Sequence, residues 1–120
     1  MNSTEHLLAC LGEEGVEIAK DCLKSKRFGL HDVNILVPDG PDNVQRIIDE
    51  LNDLMGVIRL CVIGGILPSN WASEEKQIAK MEKVLRFMDY AENSGALQIE
   101  QRQKDHLRDA VFSIKLQEDR

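Results

Sequence analysis

Two pairs of carboxylates in this sequence have the spacing to bind one cation together. The first pair is Glu14 and Glu17, in the acidic stretch 13–17, and the second is Glu50 and Asp53. Residues three apart lie on one face of an α-helix, so each pair can direct its oxygens to one point. Two such helices side by side would gather four carboxylates, whose mutual repulsion favours a bound cation. A site made only of oxygen ligands suits Mg²⁺ better than Zn²⁺ or copper.

Both pairs border the apolar stripe of their predicted helix. Glu14 follows Leu11 by three residues, and Glu50 and Asp53 fall on a flank that continues as Val57. Ordinary solvated acids belong on the side opposite the core, so this position favours a functional site. A single E-x-x-E pair is common by chance, and the alternative that these residues are surface acids therefore stays open.

Apolar periodicity and capping residues predict an all-α, four-helix-bundle-like fold in a single domain over residues 1–120. Each of the first three helices follows a side chain that can cap its N-terminus: Asn2, Asp42 and Ser73. The predicted helices span about residues 2–25, 42–63, 73–93 and 97 to near the end.

The long loop between the first two helices, residues 28–43, is the irregular part of the chain. Its short apolar run, 33–37, is expected to form either a strand or a loop that plugs the core. The following helix is apolar almost all round over residues 54–63. That pattern predicts burial on several sides, in the centre of a bundle or against a second subunit.

Composition excludes several classes of function. The net charge of −6 argues against binding to nucleic-acid backbone. No apolar run is long enough to span a bilayer, so no membrane partner is expected. The three cysteines lack C-x-x-C spacing and lie in apolar helical contexts, which predicts reduced core thiols and a cytoplasmic location.

The acidic residues resemble the signature of a known enzyme family. Glu13, Glu14 and Glu17, followed by Glu50 and Asp53, resemble the E-E-x-x-E … E-x-x-D motif of MazG-like nucleoside triphosphate pyrophosphohydrolases, members of the all-α NTP pyrophosphatase superfamily. The surrounding segments 11–20 and 49–55 also look like the two motif helices of that family. The resemblance covers about residues 5–90, and the stretch between the two motifs is long for the family.

The resemblance implies Mg²⁺-dependent hydrolysis of a (deoxy)nucleoside triphosphate to the monophosphate and pyrophosphate, with Mn²⁺ as a substitute ion. It also implies assembly as a homodimer or homotetramer. The metal ligands it implies are Glu14, Glu17, Glu50 and Asp53. The catalytic residues it implies are Glu13, Glu14 and Glu17, with Glu13 as an additional ligand or as the base that orients water. The residues that would meet the phosphates are Lys80, Lys83, Arg86 and Arg27.

Alternatives remain for the basic residues and for the whole protein. The lysine row on the third helix can also be a solvated basic stripe that binds nothing. The protein can be a hydrolase of the same fold that acts on another phosphate anhydride. It can equally be a non-catalytic helical interaction module, and the absence of Mg²⁺ binding would favour that interpretation.

Overall fold

The computed structural model describes residues 1–119, and within them the chain forms α-helices and no strand longer than a single bridge. The prediction of an all-α protein is therefore confirmed. The helices are α1 (Ser3–Phe28), α2 (Asn43–Ile63), α3 (Glu74–Asn93) and α4 (Gln101–Glu118). No helix in this part of the chain has the length and apolar content needed to cross a membrane.

The first compact unit, Met1–Ser69, contains α1 and α2 packed against each other. The predicted caps are present at both helices. The Asn2 side chain accepts a hydrogen bond from the Glu5 N–H at 2.8 Å, and the Glu5 carboxylate accepts one from the Asn2 N–H at 3.1 Å. Asp42 accepts from the Gln45 N–H at 2.9 Å. These caps satisfy N–H groups that have no partner inside the helix, which fixes where each helix starts.

The loop between α1 and α2 folds back onto the first turn of α2. Gly29 ends α1 with φ 100°, a conformation that L side chains rarely adopt. The Leu30 and Asp32 carbonyls then accept hydrogen bonds from the first N–H groups of α2, at 2.9 and 3.0 Å. The apolar run in this loop does not plug the core, because Ile35 and Leu36 are 88% and 83% exposed. Backbone pairing to α2, rather than apolar burial, holds the loop.

The apolar second half of α2 is buried on one face only within the chain. Ile58 and Cys61 are buried, whereas Leu60 and Ile63 are 53% and 81% exposed. Burial on several sides, which the sequence predicted, is therefore not achieved by this chain alone. The prediction of three core thiols is also wrong for Cys22, which is exposed.

The second unit, from Asn70 onward, contains α3 and α4 packed as a pair. Ion pairs join the two helices: Arg108 donates to both oxygens of Asp89 at 2.6 Å, and Lys104 donates to Glu92 at 2.6 Å. The sequence placed the start of α4 at about residue 97, but the helix starts at Gln101. The N–H groups of residues 96 and 97 instead bond to the Ala91 carbonyl, so these residues close the end of α3.

Candidate metal centre

Three carboxylates from α1 and α2 come together in the first unit. Glu14 lies on α1, and Glu50 and Asp53 lie one turn apart on α2. One oxygen of each carboxylate lies within 4.8 Å of an oxygen of the other two. The two helices carry these residues on facing surfaces because each acid borders the apolar stripe that packs the helices together.

Glu14 contributes a carboxylate oxygen that has no partner. Its Oε2 is buried and accepts no hydrogen bond from any group within residues 1–119. Buried polar atoms in folded proteins are nearly always satisfied, and a buried charged oxygen without a donor is costly. A cation bound between Glu14 and its two acidic neighbours would remove that cost.

Electrostatic crowding is visible at Glu50. Its pKa is raised above the usual range, first by partial burial and then by the negative charges of Asp53, Glu14 and Asp21. A protonated Glu50 can also donate a hydrogen bond to Glu14, which raises the pKa further. Burial and like charges both disfavour the ionised carboxylate, and a divalent cation would reverse both effects.

A fourth acid near the cluster, Asp21, was missed in the sequence. Asp21 is only 6% exposed, and its charge contributes to the raised pKa of Glu50. Its spacing could have revealed it, because it follows Glu14 by seven residues and therefore lies on the same face of α1. Asp21 lies outside the E-E-x-x-E motif.

The remaining predicted acids occupy the same helix but not the cluster. Glu13 and Glu17 are exposed on α1, and neither belongs to the group of three converging carboxylates. Their roles as base and as fourth metal ligand stay predictions. Of the four predicted ligands, the structure thus brings Glu14, Glu50 and Asp53 together.

The predicted phosphate-binding residues fall on different parts of the chain. Arg27 lies at the end of α1, where its guanidinium carbon is 4.9 Å from the centre of the Phe28 ring. The other three lie on α3 in the second unit, where the Lys83 ammonium is 5.8 Å from the centre of the Phe87 ring. The involvement of Lys80, Lys83 and Arg86 in substrate binding stays a prediction.

The chemistry of the cluster fits a hard divalent cation. All the ligand atoms are carboxylate oxygens, which Mg²⁺ and Mn²⁺ prefer, and no histidine or cysteine belongs to the group. Comparisons of the chain with protein-family models, curated proteins and solved structures gave no match.

Proposed function

We propose that this protein hydrolyses nucleoside triphosphates to the monophosphate and pyrophosphate, with Mg²⁺ bound by Glu14, Glu50 and Asp53. The supporting observation is the convergence of these carboxylates within 4.8 Å around a buried Glu14 oxygen that lacks a hydrogen-bond donor among the described residues. Mg²⁺ held by carboxylates in proteins usually also binds substrate phosphates, which favours a phosphate anhydride as the substrate. The resemblance of the acidic motif to MazG-like enzymes adds the nucleoside triphosphate.

The proposal assigns separate tasks to the acids of α1 and α2. Glu14, Glu50 and Asp53 would hold the ion, with Glu17 as a further ligand. When bound, Mg²⁺ neutralises phosphate charge and activates water. The resemblance gives Glu13, next to Glu14 on α1, as the base that would accept the proton of a water attacking the α-phosphorus. The bond from that phosphorus to the bridging oxygen breaks, and pyrophosphate leaves with the electron pair.

The bond that is cleaved tests this proposal directly. A panel of ribo- and deoxyribonucleoside triphosphates is incubated with the protein and Mg²⁺, and the products are separated by anion-exchange chromatography. We expect a nucleoside monophosphate and pyrophosphate in equal amounts. Nucleoside diphosphate with orthophosphate would refute the assignment of a pyrophosphohydrolase.

A matched pair of variants ties the activity to the acidic cluster. Glu50→Gln removes one charge from the cluster and should lower kcat by orders of magnitude. Asp49→Asn removes the neighbouring charge on α2, where Asp49 accepts a hydrogen bond from Gln45 at 2.8 Å outside the cluster. This control should keep the activity of the parent, so equal losses in both variants would refute the site.

We also propose that the chain assembles as a homodimer or homotetramer through α2. The support is the set of apolar side chains that α2 leaves exposed on more than one of its sides: Leu51, Met55, Leu60 and Ile63. Large exposed apolar surface on a folded protein often marks a site of contact with another protein. The same side chains would also serve a non-catalytic interaction module, which becomes the better interpretation if no metal binds and no triphosphate is cleaved. The free cysteines support a reducing compartment such as the cytoplasm as the place of action.

A further inference from the structure

A cavity of about 290 Å³ lies between the end of α1, the loop and the start of α2. Its lining combines two cations, one acid, two amides and apolar groups: Lys24, Arg46, Asp32, Asn34, Asn43, Phe28, Val33 and Ile35. The volume is near the lower limit for pockets that hold small molecules, so it suits a compact ligand with both flat and charged parts.

The cavity continues the faces of α1 and α2 that carry the acids. Phe28 follows Asp21 by seven residues, and Arg46 precedes Glu50 by four, so each lies on the same face as the acid. At about 1.5 Å of rise per residue, Arg46 is displaced from Glu50 by roughly 6 Å along the helix. A molecule with phosphates at the carboxylates would therefore reach the cavity with its remaining part.

An acid, Asp32, also lines the cavity, but it forms no ion pair with either of the two cations there. Lys24 and Arg46 are half-buried, and neither forms an ion pair within residues 1–119. The protein as a whole is acidic, with a net charge of −6. Two half-buried cations without partners in such a protein favour an anionic ligand, since charge-assisted hydrogen bonds to phosphate oxygens would satisfy them.

The cavity also offers an aromatic ring and side-chain amides. The Arg27 guanidinium lies 4.9 Å from the centre of the Phe28 ring, but Phe28 is still 58% exposed, so a flat ring can cover surface that is now in water. Asn34 and Asn43 line the same cavity and already hold the loop in place. Asn34 accepts a hydrogen bond from the Leu36 N–H at 2.9 Å, and the Asn43 amide donates to the Gly29 carbonyl at 2.7 Å. The walls are thus fixed before any ligand binds.

The start of α2 does not itself provide the anion site. Its first N–H groups already donate to the Asp32 and Leu30 carbonyls and to the Asp42 side chain. Recognition of an anion in this cavity must therefore come from the side chains of Lys24 and Arg46. Side-chain cations can be removed singly by mutation, which makes the site testable.

We infer that this cavity binds the nucleoside monophosphate part of the substrate. Lys24 and Arg46 meet the phosphate, and the base lies against Phe28 between α1 and the loop. The inference rests on the proposed function for its choice of a nucleotide. The inference adds a location for nucleoside recognition. Recognition of the nucleoside and binding of the metal are then carried out by different residues.

Titration of the metal-free protein with nucleoside monophosphates tests the inference apart from hydrolysis. Uniformly ¹⁵N-labelled protein in EDTA is titrated in turn with AMP, CMP, GMP, UMP, dTMP, uridine and inorganic phosphate. We expect at least one monophosphate to bind more tightly than uridine or phosphate, with shifted amide signals concentrated in residues 24–46. Failure of every monophosphate to bind at millimolar concentration, or shifts concentrated elsewhere, would overturn the inference.

Matched variants identify the side chains. Arg46→Gln and Phe28→Leu should each weaken monophosphate binding by about tenfold or more, the loss typical of one interaction with a charged or aromatic partner. Two substitutions serve as controls. Arg59→Gln removes an arginine from the opposite side of α2, and Phe112→Leu replaces a phenylalanine in the second unit whose exposure, 62%, is similar to that of Phe28. Both controls should bind like the parent. Circular dichroism and thermal melts establish that each variant is folded.

Failure of the inference and failure of the proposed function give different results. If the parent releases pyrophosphate and Arg46→Gln and Phe28→Leu have the same KM as the parent, the nucleoside lies elsewhere and only the inference is wrong. If monophosphates bind in the cavity but no triphosphate is cleaved, the inference stands as nucleotide binding and the proposed hydrolysis is wrong.

Discussion

Replacing Glu14 by glutamine should raise the stability of the metal-free protein and remove most of the stabilisation that Mg²⁺ gives the parent. In the metal-free protein, Glu14 Oε2 is a buried carboxylate oxygen with no donor among the described residues, close to Glu50 and Asp53. Glutamine keeps the shape, removes one negative charge and brings an amide N–H that can donate to a neighbouring carboxylate.

The magnitude follows from the cost of an unsatisfied buried acceptor, which is about 1–3 kcal/mol. Glu14→Gln should therefore raise the free energy of unfolding of the metal-free protein by about that amount. For a unit of the length of Met1–Ser69, each kcal/mol corresponds to a rise in Tm of about 4–8 °C. Mg²⁺ at one hundred times its Kd should add about 2.7 kcal/mol to the parent, and much less to a variant that has lost a ligand.

Thermal melts of the parent and of Glu14→Gln, in EDTA and in millimolar Mg²⁺ at constant ionic strength, measure both effects. We expect the variant to melt higher in EDTA and the Mg²⁺-dependent rise of the parent to be largely lost. Asp49→Asn serves as the control for a charge removed outside the cluster and should respond to Mg²⁺ like the parent. An unchanged Tm in EDTA together with an equal rise in Mg²⁺ would refute a metal site at Glu14.

Four further outcomes are expected. The pKa of Glu50 is raised in the folded state, so the native protein holds its proton longer than the unfolded chain. The stability of the metal-free protein should therefore fall as pH rises from about 4 towards neutral, and Glu50→Gln should remove that fall in pH-dependent urea denaturation. The pKa of Asp89 is lowered, mainly by the hydrogen bond from Arg108. Its contribution is present above the unfolded pKa of about 4 and is lost in more acidic solution, so Asp89→Asn should melt lower than the parent at pH 7 and lose this difference near pH 2. Lys80→Ala and Lys83→Ala should raise KM or lower kcat if these side chains meet the triphosphate, and unchanged steady-state kinetics in both would assign them to a solvated stripe. Light scattering at micromolar concentration should give at least a dimer mass, which Ile63→Lys should reduce to that of the monomer, and a monomeric parent would contradict assembly through α2.

The sequence was sufficient for the elements whose signals are local. Asn2, Asp42 and Ser73 marked the starts of three helices because a cap involves residues only three positions apart. The pairing of Glu50 with Asp53 was predictable for the same reason, since i and i+3 spacing fixes a shared helix face, whereas Glu17 does not join the cluster that contains Glu14. The predicted start of α4 was wrong because residues 96 and 97 donate hydrogen bonds to the Ala91 carbonyl at the end of α3. The residue types at these positions do not indicate that role.

Tertiary structure decided which side chains actually meet. Sequence spacing could pair Glu50 with Asp53, but only the packing of α1 against α2 selected Glu14 as their partner and placed Asp21 beside Glu50. The cavity depends likewise on the loop, whose carbonyls at Leu30 and Asp32 bond to the first turn of α2. Contacts between residues distant in the chain depend on helix rotation and on backbone pairing, and neither is encoded in a local pattern. Periodicity alone therefore gave a helix face, whereas the neighbours on that face were set by the packing of α1, the loop and α2.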